Sequence, residues 1–447
     1  MKAHSWKRVL VAFAIATEAS LALAPGSSGS TGNPDQVLEW NQIFIDTLIG
    51  TNTPNSSSQR LGAIVHTAIF DAYNGVERRY TPIFVHDSAP RGASRRAAVI
   101  AAAYTALVGL FPSRRQELDA SYMASLAALS GDGDDGGQSL DRGLAWGMEV
   151  ANAVLAWRAA DGFSASYPAF TGGTAVGQWR PTPPAFGPMS AQGLAFTSPF
   201  VLVSNTQFRP EPPRTLISST YTEDFNTVKA LGPTTGSKRS EDHTSLAPFW
   251  EGNASVHWNQ AANQIARANH LSMSDSNRLL AVLNIAMADT AFTIWSAKRF
   301  YGANPLEVTW RPVTSIQLAD SDGNPDTAPD SSWLPLITTP SHPEYPAGHP
   351  SLNGAAATVL LSHFDDAQVF TLTTRLSSGV DLPNRTYTSI AQARADGNSA
   401  RVWGGMHYPS TVAISDQVGE AIANYINLNV MQRLRGSVRR SHGRQGL

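Results

Sequence analysis

The sequence predicts an all-α protein folded as a large helical bundle. Three observations carry that expectation. Apolar residues recur three and four apart through long segments, strand-like alternation is scarce, and a chain of 447 residues with 42% hydrophobic content can bury an extensive core.

In chain order the helical periodicity runs through VLEWNQIFIDTLIG (37–50), SQRLGAIVHTAIFDAYNGVERRY (58–80), SRRAAVIAAAYTALVGLF (94–111) and a run near 113–130. It continues in GLAWGMEVANAVLAWRAA (143–160) and SDSNRLLAVLNIAMADTAFTIWSAKRF (274–300). Between 161 and 220 lies a stretch rich in Pro, Gly and Thr, including TGGTAVGQWRPTPPAFGP. Loops that long are functional or disordered, and Trp179, Phe186 and Phe200 give this one rings to bury, so it is expected to wrap the bundle in an ordered path. No internal repeat is evident.

The ends carry separate signals. MKAHSWKRVLVAFAIATEASLALA (1–24) sets Lys2, Lys7 and Arg8 before an apolar run and finishes on small residues, the pattern of a signal peptide; Glu18 and Pro25 are unusual neighbours for its cleavage region. A secreted, periplasmic or extracellular location follows as an expectation. No other segment reads as the roughly 20 apolar residues of a membrane span, so stable membrane insertion is not expected. From Arg433 to the end RLRGSVRRSHGRQGL is basic and reads as disordered chain, which leaves about 35–430 as a single helical domain.

Composition removes several chemistries. A formal net charge of −2 argues against a nucleic-acid binder, and the absence of cysteine excludes haem-thiolate ligation, iron–sulfur clusters, thiol nucleophiles and disulfides.

Two histidine junctions stand out. In EYPAGHPSLNGAAATVLLSHF, Pro350 reads as the opening position of a helix running to Phe364, which puts His349 at the helix mouth beside Gly348. Backbone N–H groups there have no intrahelical partner and the macrodipole is positive, so the place suits an anion. In ARVWGGMHYPSTVAISDQVGEAIANYINL, His407 precedes Tyr408 and Pro409 in the same way, with Arg401 six positions earlier; upstream, TWRPVTSI supplies Arg311. Arginine offers a planar fork of donors for tetrahedral oxyanions, and two histidines offer a ligand or nucleophile plus a proton carrier. Read alone, Arg311 is equally a structural ion-pair partner and Arg401 a surface charge; together the four describe an oxyanion site.

WRPVT (310–314), HPEYPAGHPS (342–351) and RVWGGMHYPS (401–410), taken in order, resemble the vanadium-dependent haloperoxidases and, more broadly, the type 2 phosphatidic acid phosphatase superfamily. The resemblance extends loosely over about 35–430, with the motifs in 295–425, and implies two packed helical bundles. It further implies that His407 ligates vanadium in a haloperoxidase, or attacks phosphorus in a phosphatase, and that His349 is the acid–base histidine. Arg311, Arg401 and the Gly348 N–H would hold the oxyanion. Ala347 falls where many members carry a serine, a lost hydroxyl donor worth about 1–3 kcal/mol of anion binding.

The family's lysine is displaced. Its usual spacing before Arg311 reaches Asn304, and the nearest lysine is Lys298. An insertion in FYGANPLEVT accommodates this, with Gly302 and Pro305 ending the helix and Lys298 in its last turn, where it would also suit the C-terminal dipole.

Other histidines read more plainly. His66, with Asp71 five positions on, is a core contact, and His342 with Glu344 and His349 matches no zinc motif. Trp179-Arg180-Pro181 echoes Trp310-Arg311-Pro312 but reads as structural.

The implied cofactor is orthovanadate, and the implied partners are hydrogen peroxide, a halide and a small organic acceptor, with a homo-oligomer left open. The expected reaction is peroxide-dependent halide oxidation to hypohalous acid or a halogenated product. Alternatives are phosphomonoester hydrolysis through a phosphohistidine and an oxyanion-binding protein without catalysis.

Overall fold

The computed structural model describes residues 35–129 and 136–434. The signal-peptide segment and all but the first two residues of the basic tail lie outside them. Arg433 and Leu434 are paired with the chain just after the second helix, Arg433 bridging Tyr80 and the Leu434 N–H donating to the Arg79 carbonyl.

The described residues form thirteen α-helices and one two-stranded hairpin. The first group comprises α1 (Gln36–Gly50), α2 (Asn55–Glu77), α3 (Arg95–Leu110), α4 (Arg115–Leu129) and α5 (Gly137–Ala159). Then come α6 (Ser219–Leu231), α7 (Glu241–Phe249), α8 (Ala254–Ala268), α9 (Met273–Ala303) and the short α10 (Pro312–Gln317). The last are α11 (Gly348–Leu361), α12 (Ile390–Trp403) and α13 (Pro409–Asn429). Local chemistry starts many of them: Asp35, Ser94, Ser218, Ser240, Asn253, Ser272 and Ser389 each cap a first turn through the side chain.

α9 is the axis. It packs against α2 on one side and against α11 and α13 on the other. By length and composition it would suffice to cross a membrane, contrary to the sequence reading, but its apolar window is 94% buried inside the protein. Sequence periodicity did not reveal α6, α7, α8 or α12. In α8 polar side chains share the buried face with Val256, Trp258 and Ile265: Asn263 accepts from Asn41, while Asn259 and Asn284 exchange side-chain hydrogen bonds at 3.0 and 2.9 Å. His66 joins this network at Asn41 and is buried, as expected.

The hairpin β1 (Phe370–Arg375) and β2 (Asp381–Tyr387) also escaped the sequence reading. It pairs Phe370 with Tyr387 and is irregular between Leu372 and Thr374, too short an alternation to register.

The 161–218 connection does wrap the helices. Asp289 of α9 accepts the N–H groups of Phe200, Val201 and Leu202, pinning the strap to the core, and Asp71 of α2 binds the N–H groups of Ile83, Phe84 and Val85 in the same manner. Trp179 and Phe200 are buried, but Phe186 is 64% exposed on a turn with φ of 49° and does not fill the role expected of it.

One crossing decides where the site lies. α11 and α13 touch backbone to backbone: a Cβ on Gly419 would stand 1.8 Å from the Ser351 carbonyl, and one on Gly354 would stand 2.2 Å from that of Asp416. The close approach brings the N-termini of both helices, and the histidines on them, to one end of the core.

Candidate active site

The α11 mouth differs slightly from the sequence reading. The helix opens at Gly348, two residues before Pro350, with Ala347 as its N-cap, and ends at Leu361 rather than Phe364. His349 therefore lies within the first turn. Since Pro350 has no N–H, the first-turn donors free of intrahelical bonds are those of Gly348 and His349. Gly348 lies against the Trp295 ring, where an added Cβ would come within 3.3 Å. α13 opens at Pro409 with Tyr408 as N-cap, so His407 precedes it.

Around these two mouths the structure gathers Lys298, Arg311 and Arg401, all buried. Arg311, just ahead of α10, donates from Nε to the His342 carbonyl at 2.8 Å and from one terminal nitrogen to the Met406 carbonyl at 2.9 Å and His407 Nε2 at 3.0 Å. Its other terminal nitrogen meets His342 Nδ1 at 2.8 Å. Arg401, near the end of α12, is less well satisfied: it reaches the Trp250 carbonyl at 3.4 Å and Met406 Sδ at 3.1 Å, and its Nε has no protein partner.

Lys298 is not in the last turn of its helix. α9 continues through Gly302 to Ala303, so the lysine points sideways into the cluster and not at the helix end. Its ammonium donates to the carbonyls of Pro343 at 2.7 Å and Glu344 at 3.1 Å. An ammonium has three protons, so one remains.

His349 is partly exposed, unlike His407. Its Nε2 lies 3.2 Å from the Gly252 carbonyl and 3.4 Å from the Asn55 amide, a residue at the start of α2. The Trp250–Gly252 turn thus touches both Arg401 and His349.

Glu344, a candidate metal ligand by sequence, is instead the partner of His407. Its Oε1 accepts from His407 Nδ1 at 2.9 Å and from the Tyr408 N–H at 3.2 Å, and its Oε2 accepts from Thr411 Oγ1 at 3.0 Å. His342 is spent on Arg311. Among the described residues no set of His, Asp and Glu is arranged to hold a metal ion through side chains alone.

The electrostatics favour an anion. Burial pushes Arg311 down to about 9 and Arg401 down to about 10, and drives Lys298 well below its ordinary value with help from the charge of Arg311. Burial likewise lowers His407 and His349, reinforced by Arg311 at the first and Arg401 at the second, so both rings are neutral. Glu344 is pushed up by burial against the pull of Arg311 and Lys298. It is the one buried carboxylate among three buried cationic groups; Glu251, exposed after α7, adds a pull on Arg401. An oxyanion among these groups would offset repulsions that the protein leaves uncompensated. The orphaned Arg401 Nε, the remaining Lys298 proton and the Gly348 and His349 N–H groups are donors suited to orthovanadate or phosphate.

Comparison with known proteins follows the same lines. Residues 278–436 match the family described as the VCPO second helical-bundle domain. The chain is similar in fold to a bacterial vanadium-dependent iodoperoxidase, with 22% identity and a TM-score of 0.71 over 90% of this chain and 98% of that one. It is also similar to a bacterial vanadium-dependent chloroperoxidase. The apo structure gives 16% identity and a TM-score of 0.63 over 84% of this chain and 94% of that one; the holo structure gives 16% and 0.64 over 83% and 91%. No curated protein matches in sequence. Residues 278–436, which carry all three site motifs, thus match the VCPO second helical-bundle domain, and the chain shares its fold with the vanadium-dependent haloperoxidases.

Proposed function

We propose that the protein is a vanadate-dependent haloperoxidase that uses hydrogen peroxide to oxidise a halide to hypohalous acid or a halogenated product. The observation that carries this reading is His407 Nε2 set 3.0 Å from Arg311 in a cluster that also buries Lys298 and Arg401, the last with an unpartnered Nε. Vanadate, when bound, supplies a Lewis-acidic centre that activates peroxide toward halide. In this assignment His407 Nε2 is the ligand, and Arg311, Arg401, Lys298 and the Gly348 N–H hold the charged oxygens. His349, partly exposed at the mouth of α11, moves the protons that the reaction consumes.

The same Nε2 favours a second reading, phosphomonoester hydrolysis, in which His407 attacks phosphorus and His349 protonates the leaving oxygen. One experiment separates the two: vanadate-loaded and phosphate-free protein are assayed side by side for bromide or iodide oxidation and for phosphatase activity, each with His407→Ala as control. Halide oxidation only after vanadate loading, lost in the variant while helical circular dichroism is kept, supports the haloperoxidase. Phosphatase activity alone favours the hydrolase, and anion binding with neither turnover leaves a binding protein.

A further inference from the structure

We propose that Glu344 is the positioning residue that fixes His407 in its Nδ1–H tautomer and so keeps Nε2 an unprotonated lone-pair donor facing the cationic cluster, where Arg311 now donates to it and an oxyanion would take its place. The inference rests on the reading of the site given above and assigns a role to a residue outside the oxyanion contacts.

Arg311 has only N–H donors, so at 3.0 Å from His407 Nε2 it requires that nitrogen to accept. A neutral imidazole then carries its proton on Nδ1, and the one acceptor placed for it is Glu344 Oε1 at 2.9 Å. The reverse assignment fails on both sides. A proton on Nε2 would point at the Arg311 guanidinium, and a proton on Oε1 would compete with the Tyr408 N–H, which already donates to that oxygen at 3.2 Å. With Thr411 Oγ1 on Oε2 at 3.0 Å, the carboxylate meets three donors and offers none.

Glu344 is itself immobilised. Its N–H donates to the Thr309 carbonyl at 3.1 Å, and its own carbonyl accepts from Lys298 at 3.1 Å. The backbone that bears the carboxylate is thus tied to Lys298 and to Thr309, two positions before Arg311. A buried carboxylate with this neighbourhood has a bland alternative role, a counter-ion that merely keeps the cluster soluble in the protein interior. Positioning and neutralisation make opposite predictions for different anions. Vanadate coordination needs the Nε2 lone pair, whereas phosphate held by the arginines and lysine does not.

The test combines a spectrum with two variants. In the full-length protein labelled with 15N-histidine, two-bond correlation spectra, assigned by the loss of signals in His407→Ala, should show His407 protonated on Nδ1 and bare on Nε2. Glu344→Leu should weaken vanadate binding about 10- to 100-fold, the usual effect of removing the outer partner of a ligating histidine, while phosphate affinity holds or rises because a negative charge has left the cluster. Glu344→Gln, whose amide oxygen still accepts from Nδ1, should recover most of the vanadate affinity. A wild-type His407 protonated on Nε2 overturns the proposal, and so does an equal loss of both anions in Glu344→Leu or a Glu344→Gln no better than Glu344→Leu. Vanadate binding by the wild type is measured first. Failure there defeats the haloperoxidase reading alone, and the tautomer spectrum, which requires neither variant to fold, still decides the role of Glu344.

Discussion

Ser415 holds the backbone at Ala347: its hydroxyl accepts the Ala347 N–H at 2.7 Å and donates to the Thr411 carbonyl at 2.6 Å. The hydroxyl is therefore committed to the main chain and does not replace the donor that a serine at 347 would give. Ala347 is the N-cap, and the N3 position is Pro350, so a serine oxygen there would find only the His349 N–H as a local donor and keep its own proton for an anion. Ala347→Ser is expected to strengthen phosphate or vanadate binding by about 1–3 kcal/mol. Titration calorimetry measures it directly; unchanged or weaker affinity would mean that the hydroxyl cannot reach the anion from the N-cap.

Lys298 has two tasks in the structure, and replacing it should show both. Lys298→Met is expected to cost roughly 1.5–3 kcal/mol of anion binding through loss of a charged donor. The carbonyls of Pro343 and Glu344 would also lose their partner inside the protein, lowering stability by about 1–3 kcal/mol. Anion titration and denaturant unfolding on one variant report the two separately. A stability loss with untouched anion affinity would confine the lysine to bracing the loop.

Asn55 brings the first group of helices to the site. Its amide nitrogen is 3.4 Å from His349 Nε2, and its Oδ1 accepts from the Ala254 N–H at 2.9 Å. With Asn55→Ala the ring should be held only by the backbone of Glu251 and Gly252. The expectation is a turnover slower by roughly 2- to 12-fold, equivalent to one hydrogen bond of about 0.5–1.5 kcal/mol, with phosphate affinity unchanged. Equal losses in turnover and anion affinity would indicate general disruption of the mouth.

Acid should destabilise the protein partly through His66. Burial lowers this ring to about 3 from its ordinary 6.5, so between those values the unfolded chain binds a proton that the folded protein refuses. Stability is thus intact above pH 6.5 and is lost as pH falls, at a limiting slope of about 1.4 kcal/mol per pH unit for this group. His66→Gln keeps a donor for Asn41 Oδ1 without the titration. Urea unfolding from pH 7 to 4.5 should therefore show a shallower decline in the variant; parallel profiles would exclude His66 from the acid response.

Much of this molecule is written locally. The periodicity of α1 to α5 and α9, and the prolines in the first turns beside His349 and His407, are properties of neighbouring residues, and short-range chemistry is what a single sequence displays. The site motifs are legible for the same reason, since Gly348-His349 and the Arg401 to His407 spacing lie within a few turns. Polar burial is not legible in this way. α8 buries Asn259 and Asn263 beside Trp258 and Ile265, and the partners of those asparagines on α9 and α1 are remote in sequence, so no local pattern announces their burial.

Tertiary structure alone decided which groups meet. Glu344 and His407 stand 63 positions apart, and Asn55 lies 294 positions from His349; nothing near any of them announces the pairing. Lys298 could be named from the sequence but not aimed, because its direction depends on α9 continuing past Gly302 and on the 343–344 carbonyls facing it. A pattern of apolar residues records that a face is buried, whereas a hydrogen bond between distant residues exists only once α11 and α13 have closed to contact at Gly354 and Gly419. The sequence therefore determined most of the helices and most of the chemical groups of the site, and the packing determined their geometry, since direction and distance between groups arise only when the elements that bear them are in place.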